Sequence, residues 1–143
     1  MTDLSFSGAK IALLCEGQIL IYLRDDKPSI PWPGQWDLPG GGREGKETPL
    51  ECAARETLEE FSLVLDPDWI EWERVYPGQG AGGLDTWFFV AHVPAGTFEQ
   101  VVFGDEGQYW AVESVEAFLE RDDAIARLQA RLREYLNDRT ARL

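Results

Sequence analysis

The stretch from Pro39 to Leu63, PGGGREGKETPLECAARETLEEFSL, constrains this chain more than any other. It opens with a glycine-rich turn and then supplies a full set of helix-start signals. Thr48 is an N-cap residue, Pro49 takes the first helical position, where a missing N–H costs nothing, and Glu51 stands where it closes a capping box. A helix is therefore expected from Pro49. Leu50, Ala54, Thr57, Leu58 and Phe61 recur along it at helical spacing, so this stripe is expected to pack inward. Glu56, Glu59 and Glu60, at i, i+3 and i+4, are expected to project together from the opposite side. Such a cluster repels itself and wants a cation.

Gly41, Glu47, Arg55, Glu56, Glu59 and Glu60 stand in the pattern G-x5-E-x7-R-E-x-x-E-E. This resembles the signature of the Nudix hydrolases. At an average usage of ~7% per residue type, six such matches arise by chance on the order of once in ten million starts. Two positions depart from the pattern. Ser62 stands where the family usually has glycine, which puts the helix exit in question, and Thr57 takes an apolar slot. The resemblance implies an α/β fold, a Nudix-type α/β/α sandwich with a mixed β-sheet and a loop-helix-loop catalytic motif. It also implies Mg2+ or Mn2+ as cofactor, with Glu59 and Glu60 as ligands, Glu56 as a further ligand or the group that activates water, and the carbonyl of Gly40 as another ligand. Arg55 is expected to pair with Glu59 or Glu51 and hold a carboxylate in register, unless it is an ordinary surface ion pair. Glu47 either belongs to that motif or merely favours the helix dipole. A second, shorter match, Gly104-Asp105-Glu106-Gly107-Gln108, is similar to the segment that supplies one more acid in the MutT-like branch. Glu106 is thus the expected extra ligand or general base, with Asp105 in reserve.

Composition narrows the partners. The chain has 143 residues, enough for one domain spanning 1–143, with 26 acidic and 13 basic residues and a formal charge of −13. That balance argues against a nucleic-acid polymer and leaves a small phosphorylated substrate, neutralised by metal, as the expected partner. A nucleotide such as a nucleoside triphosphate fits best. A catalytically silent, nucleotide-sensing module of the same fold is the alternative. The early residues lack a basic leader and a long apolar run, so no membrane span and a cytoplasmic location are expected. Cys15 and Cys52 are then expected to be reduced. These residues carry no signal of oligomeric state.

Around the motif, residues 9–24 read as a hairpin turning at Glu16-Gly17, and Asp25 to Gln35 as a stiff, proline-rich loop. Trp32 in that loop is a candidate wall of the substrate site, or a cover for the core. Trp69 to Tyr76 and Leu84 to Val93 read as strands, separated by a loop from Pro77 to Gly83. Trp87 is a candidate stacking surface, though strand aromatics are more often core. His92, the sole histidine, reads as structural. Val112 to Glu120 reads as a short helix or a strand-to-helix transition. Asp122 or Asp123 is expected to cap a final helix that packs through Ile125, Leu128, Leu132, Tyr135 and Leu136, with Arg127, Arg131, Arg133 and Arg139 on a solvated face.

Overall fold

The computed structural model describes residues 5–141. Its elements in chain order are β1 (Phe6–Cys15), β2 (Gln18–Leu23), β3 (Trp36–Asp37), β4 (Gly40–Gly42), α1 (Pro49–Phe61), β5 (Ile70–Tyr76), β6 (Asp85–His92), β7 (Tyr109–Ser114), α2 (Val115–Glu120) and α3 (Ala126–Ala141). The sheet is mixed. β1 runs parallel to β6 from Phe6 to Leu14, and every other pairing between these strands is antiparallel.

The hairpin of β1 and β2 splays open, and that fork positions the site. Its turn, Glu16-Gly17, adopts positive φ at both residues (51° and 78°), as a two-residue hairpin connection requires. The strands pair only near this turn, at Leu14 with Ile19 and Cys15 with Gln18. Further along, β3 pairs with β2 and β4 pairs with β1, so residues 36–42 fill the gap between the diverging strands. The glycine-rich segment expected to be a turn is thus a pair of short strands, with the Ile11 N–H donating to the Pro39 carbonyl at 2.9 Å between them. Leu38, at the join, is fully buried.

Two cores lie on the two faces of the sheet. One gathers Cys52, Ala53 and Phe61 of α1 against Ile11, Leu13 and Phe89. The other gathers Phe118 of α2 and Leu128 and Leu132 of α3 against Ala12, Ile21 and Phe88. Each fully buried Phe or Leu contributes about 1.5–3 kcal/mol by leaving water. Helices therefore cover both faces, an α/β sandwich as the motif implied. Among the described residues no helix is long and apolar enough to cross a membrane.

The stretch from Val112 to Glu120 is a strand-to-helix transition, one of its two expected readings: the end of β7 and then α2, whose N-cap Ser114 Oγ accepts from the Ala117 N–H at 3.1 Å. Two other local expectations need correction. Neither Asp122 nor Asp123 caps α3. Asp123 is held by Arg121 at 3.0 Å, and its carbonyl accepts from the Trp36 N–H at 2.8 Å, which ties the approach to α3 to β3. Arg131 is not on a solvated face but buried, at 3% exposure. Cys15 and Cys52 are both free thiols, and burial pushes Cys52 up to about 11. His92 lies beside Glu71 of β5, and burial lowers its pKa.

α1 begins and ends as its sequence dictates. Thr48 Oγ1 accepts from the Glu51 N–H at 3.1 Å, and Glu51 Oε1 accepts from the Thr48 N–H at 2.8 Å. At the exit Ser62 adopts the left-handed conformation that glycine would take at no cost (φ 59°). Its hydroxyl compensates by donating to the Val102 carbonyl at 3.2 Å. Thr57, in the apolar slot, is buried because its hydroxyl donates to the Ala53 carbonyl at 2.7 Å.

Candidate active site

The expected inward stripe on α1 is displaced by about a quarter turn of the helix. Cys52, Ala53, Thr57, Glu60 and Phe61 are buried, while Leu58 is 50% exposed. The acids do not lie opposite the core. Glu60 is buried at 6% exposure, Glu56 is half-buried, and only Glu59 is in solvent. The cause is β4. A strand of three glycines has no side chains to fill the space above the helix, so the carboxylates of Glu56 and Glu60 fill it instead.

Close approach requires glycine at position 40 and brings Glu56 against position 41. Gly40 has φ 133°, and a Cβ there would lie 2.2 Å from the Ala9 carbonyl oxygen. A Cβ on Gly41 would lie 2.7 Å from the carboxyl carbon of Glu56. Gly41→Ala is therefore expected to displace the Glu56 carboxylate at little cost in stability, because the far end of a flexible side chain can shift, and, if Glu56 takes part in turnover, to cost roughly a hundredfold in rate. Thermal melting and steady-state rates of that variant check both.

The Gly40 N–H donates to Glu60 Oε1 at 3.0 Å. Among the described residues no cation stands within ion-pair distance of Glu60. Burial pushes its pKa up to about 8, against the pull of the Lys10 charge and the Gly40 N–H. Glu56 is also raised, by burial first, with Arg55 opposing.

Arg55 organises the remaining acids. Its Nε donates to Glu47 Oε2 at 2.5 Å and its Nη2 to Glu47 Oε1 at 3.1 Å, a two-point clamp. Its Nη1 donates to Glu56 at 2.8 Å and to Glu59 at 3.2 Å, and its Nη2 reaches the Gly42 carbonyl at 2.7 Å. Of the two partners expected for Arg55, Glu59 is present, whereas Glu51 is engaged in the capping box. Glu47 does more than favour the helix dipole: its hydrogen bond from Arg55 lowers its pKa, and its Oε1 also accepts from the Glu44 N–H at 2.8 Å.

One residue of this region has no counterpart in the sequence reading. Asp37 is fully buried in β3 and accepts from Lys10 Nζ at 3.0 Å, Tyr22 Oη at 3.0 Å and Arg24 Nη1 at 2.9 Å. Lys10 Nζ also donates to the carbonyls of Leu38 and Gly40, each at 3.2 Å. An acid in the apolar run Trp36-Asp37-Leu38, with a lysine inside a strand, was the available signal.

Glu106 is exposed, as is Asp105, in the loop before β7. That loop is pinned at both sides. The Gly104 N–H donates to the Glu60 carbonyl at 2.9 Å, and the Gln108 N–H donates to the Leu23 carbonyl at 2.8 Å. The segment carrying Glu106 therefore spans from the C-terminal end of α1 to the end of β2.

A cavity of about 340 Å3 opens beside β4. Lys10, Asp37 and Gly41 line it, as do Trp32 and Trp87, the two tryptophans singled out from the sequence, and Arg131. Trp32 is 43% exposed at its rim, and Trp87 is half-buried and stacks on Phe89 at 6.2 Å between centroids.

A family model described as the NUDIX domain matches residues 7–138. The chain belongs to the Nudix family. Its Nudix fold superposes on that of a MutT protein from Methanosarcina mazei with a TM-score of 0.72 at 20% identity, covering 97% of this chain and 99% of that one. A NUDIX hydrolase from Nitrosomonas europaea gives 0.71 at 23% identity, over 99% of this chain and 75% of that one. An Ap4A hydrolase from C. elegans gives 0.66 at 18% identity, over 94% and 98%. In sequence, the chain is 36% identical over 83 residues to the m7GpppN-mRNA hydrolase NUDT17 of Danio rerio. That alignment covers 54% of this chain but only 28% of the relative.

Nudix enzymes generally work with divalent metals, and the donors here suit one. Glu56, Glu59, Glu60 and the Gly40 carbonyl are all hard oxygen donors, the kind magnesium and manganese take. The buried Glu60 carboxylate, without a counter-cation, is the specific mark of the fit. No three Asp, Glu, His or Cys side chains among the described residues form a ready cage. Magnesium characteristically binds to one or two carboxylates together with water and substrate phosphates.

Proposed function

We propose that this Nudix protein hydrolyses the phosphoanhydride bond of a nucleoside diphosphate linked to another group, with Mg2+ or Mn2+ as cofactor. The observation that carries the reading is the buried Glu60 carboxylate, without an ion-pair partner, packed under a glycine strand that lines a cation-rich cavity. Glu56, Glu59, Glu60 and the Gly40 carbonyl would hold the ion, with Glu106 arriving from its loop. When bound, the ion relieves charge on the phosphoryl oxygens and makes water a stronger acid. Glu56 or Glu106 then takes the proton of the attacking water. Arg55 keeps Glu56 and Glu59 in register, and Trp32 and Trp87 offer flat apolar surfaces to the nucleoside.

The expected substrate is a small nucleotide, a nucleoside triphosphate being the simplest case. The C. elegans neighbour is an Ap4A hydrolase and the zebrafish relative an m7GpppN-mRNA hydrolase, so dinucleoside polyphosphates and capped ends belong in the test. The net charge of −13 disfavours a long RNA body. The experiment is phosphate and nucleotide product release from a panel of such compounds with magnesium or manganese, for the wild type and Glu59→Gln. Turnover in the wild type that falls at least about a hundredfold in the variant is expected. An inactive wild type whose melting temperature still rises with nucleotide would favour the silent sensing module.

A further inference from the structure

Arg131 of α3 is 3% exposed, and its Nε has no hydrogen-bond partner among the described residues. Its Nη2 donates to two neutral oxygens, Gln79 Oε1 and Thr86 Oγ1, each at 2.9 Å, and its guanidinium lies 4.1 Å from the centre of the Tyr76 ring. Among the described residues no carboxylate pairs with it. Glu134, the acid whose charge it feels, is occupied by Arg74 and by the Tyr76 hydroxyl at 3.2 Å. Arg127, one turn earlier, donates to the Gln79 carbonyl at 2.8 Å and sits 5.8 Å from the centre of the Trp32 ring. Among the described residues it too has no acidic partner. Both arginines line the cavity beside β4, on the wall that α3 contributes.

A buried guanidinium satisfied only by neutral acceptors is costly, and natural chains rarely tolerate one without an anion. Here the supply of acids is no constraint, since the chain holds 26. Yet the cavity reverses the overall balance: among the described residues Lys10, Arg24, Arg127 and Arg131 line it, against Asp37 alone. Asp37 already holds Lys10 and Arg24. The two α3 arginines are therefore left for a ligand. A phosphoryl group, with three acceptor oxygens, can take N–H groups from both guanidiniums, whereas the edge of a neutral base offers fewer acceptors and no charge.

We propose that Arg131 and Arg127 form a subsite for a phosphoryl group that the substrate carries in addition to the phosphoanhydride cleaved at α1. The inference rests on the hydrolase reading and narrows its substrates to those with an extra phosphate, either on a ribose or further along a longer phosphate chain.

The test is equilibrium binding to the full chain in chelator, with no turnover involved. The ligands are AMP, adenosine 2′,5′- and 3′,5′-bisphosphate, ADP and ATP. The extra phosphate is expected to tighten binding about tenfold or more over AMP, as charge-assisted bonds to two arginines allow. A gain of the bisphosphates over AMP places it on ribose, and a gain of ATP over ADP, whose own β-phosphate belongs to the anhydride, places it in the chain. Arg131→Gln and Arg127→Ala are each expected to erase most of that gain while leaving AMP binding nearly unchanged. Arg127 is exposed, so its variant reads the subsite even if Arg131→Gln fails to fold. No gain from any extra phosphate, or a gain that both variants keep, would overturn the subsite. Loss of guanine-over-adenine preference in the variants, tested with GMP, would reassign the arginines to a base edge and also overturn it. Phosphate-dependent binding with no hydrolysis in the metal-loaded panel would leave the subsite standing and remove the hydrolase reading; hydrolysis without phosphate-dependent binding would do the reverse.

Discussion

Glu60→Gln is expected to remove most of the pH dependence of stability in the metal-free protein between about pH 5 and pH 8. The folded chain holds this carboxyl up to about 8, against an ordinary value of 4.5. A carboxyl raised in the folded state favours its protonated form, so its contribution to stability is full below the unfolded value and is lost as pH rises toward the folded one. For the wild type in chelator, stability should thus fall through this window by an amount on the order of a few kcal/mol. Glu56, also raised, adds a slope of the same sign. A divalent ion binds the ionised form and reverses the trend, so added magnesium should raise the melting temperature most at pH 8. Glutamine can keep the acceptor for the Gly40 N–H but has no charge, so the variant should melt at nearly the same temperature across the window and respond little to magnesium. Melting curves at pH 5 and pH 8, with chelator and with magnesium, check all of this. A wild type equally stable at both pH values in chelator would contradict it.

Arg55→Ala is expected to lower both stability and activity. The side chain makes five donor contacts, to Glu47, Glu56, Glu59 and the Gly42 carbonyl. Removing it leaves Glu47 and Glu56, both mostly shielded from solvent, without their hydrogen-bonded ion-pair partner, at a cost of about 2–3 kcal/mol. It also frees the carboxylates proposed to face the substrate, and a misplacement of about 1 Å at such groups costs on the order of a hundredfold in rate. Arg55→Lys keeps the charge but not the planar fork, so it should recover part of the stability and little of the turnover. Urea unfolding and steady-state rates of the two variants separate the effects. A fully active Arg55→Ala would remove Arg55 from the positioning role.

Local chemistry was legible in this sequence and long-range geometry was not. The helix start at Thr48 and Pro49 was readable because a capping box is complete within four residues. The exit at Ser62 was left in question because the compensating partner, the Val102 carbonyl, lies forty residues away. The orientation of α1 was misjudged for a similar reason. Periodicity placed Leu58 inside, but the space left by the glycines of β4 drew Glu56 and Glu60 toward the sheet instead. Those glycines read as a turn because nothing local shows that β1 and β2 splay to receive them. Arg131 read as solvated because a helix face rich in arginine usually is. Its burial depends on Gln79, Thr86 and Tyr76, all more than forty residues earlier.

Whether α1 and β4 form the proposed metal-dependent phosphoanhydride hydrolase site is tested most directly by turnover of the best substrate in the panel, followed by phosphate and nucleotide release across a magnesium titration, for the wild type and Glu60→Gln at pH 8. No turnover is expected in chelator, with saturable activation by magnesium in the wild type and at least a hundredfold loss in the variant, on the order of what removing a metal-held carboxylate costs. Equal rates in chelator and magnesium, or a variant as active as the wild type, would contradict the proposal.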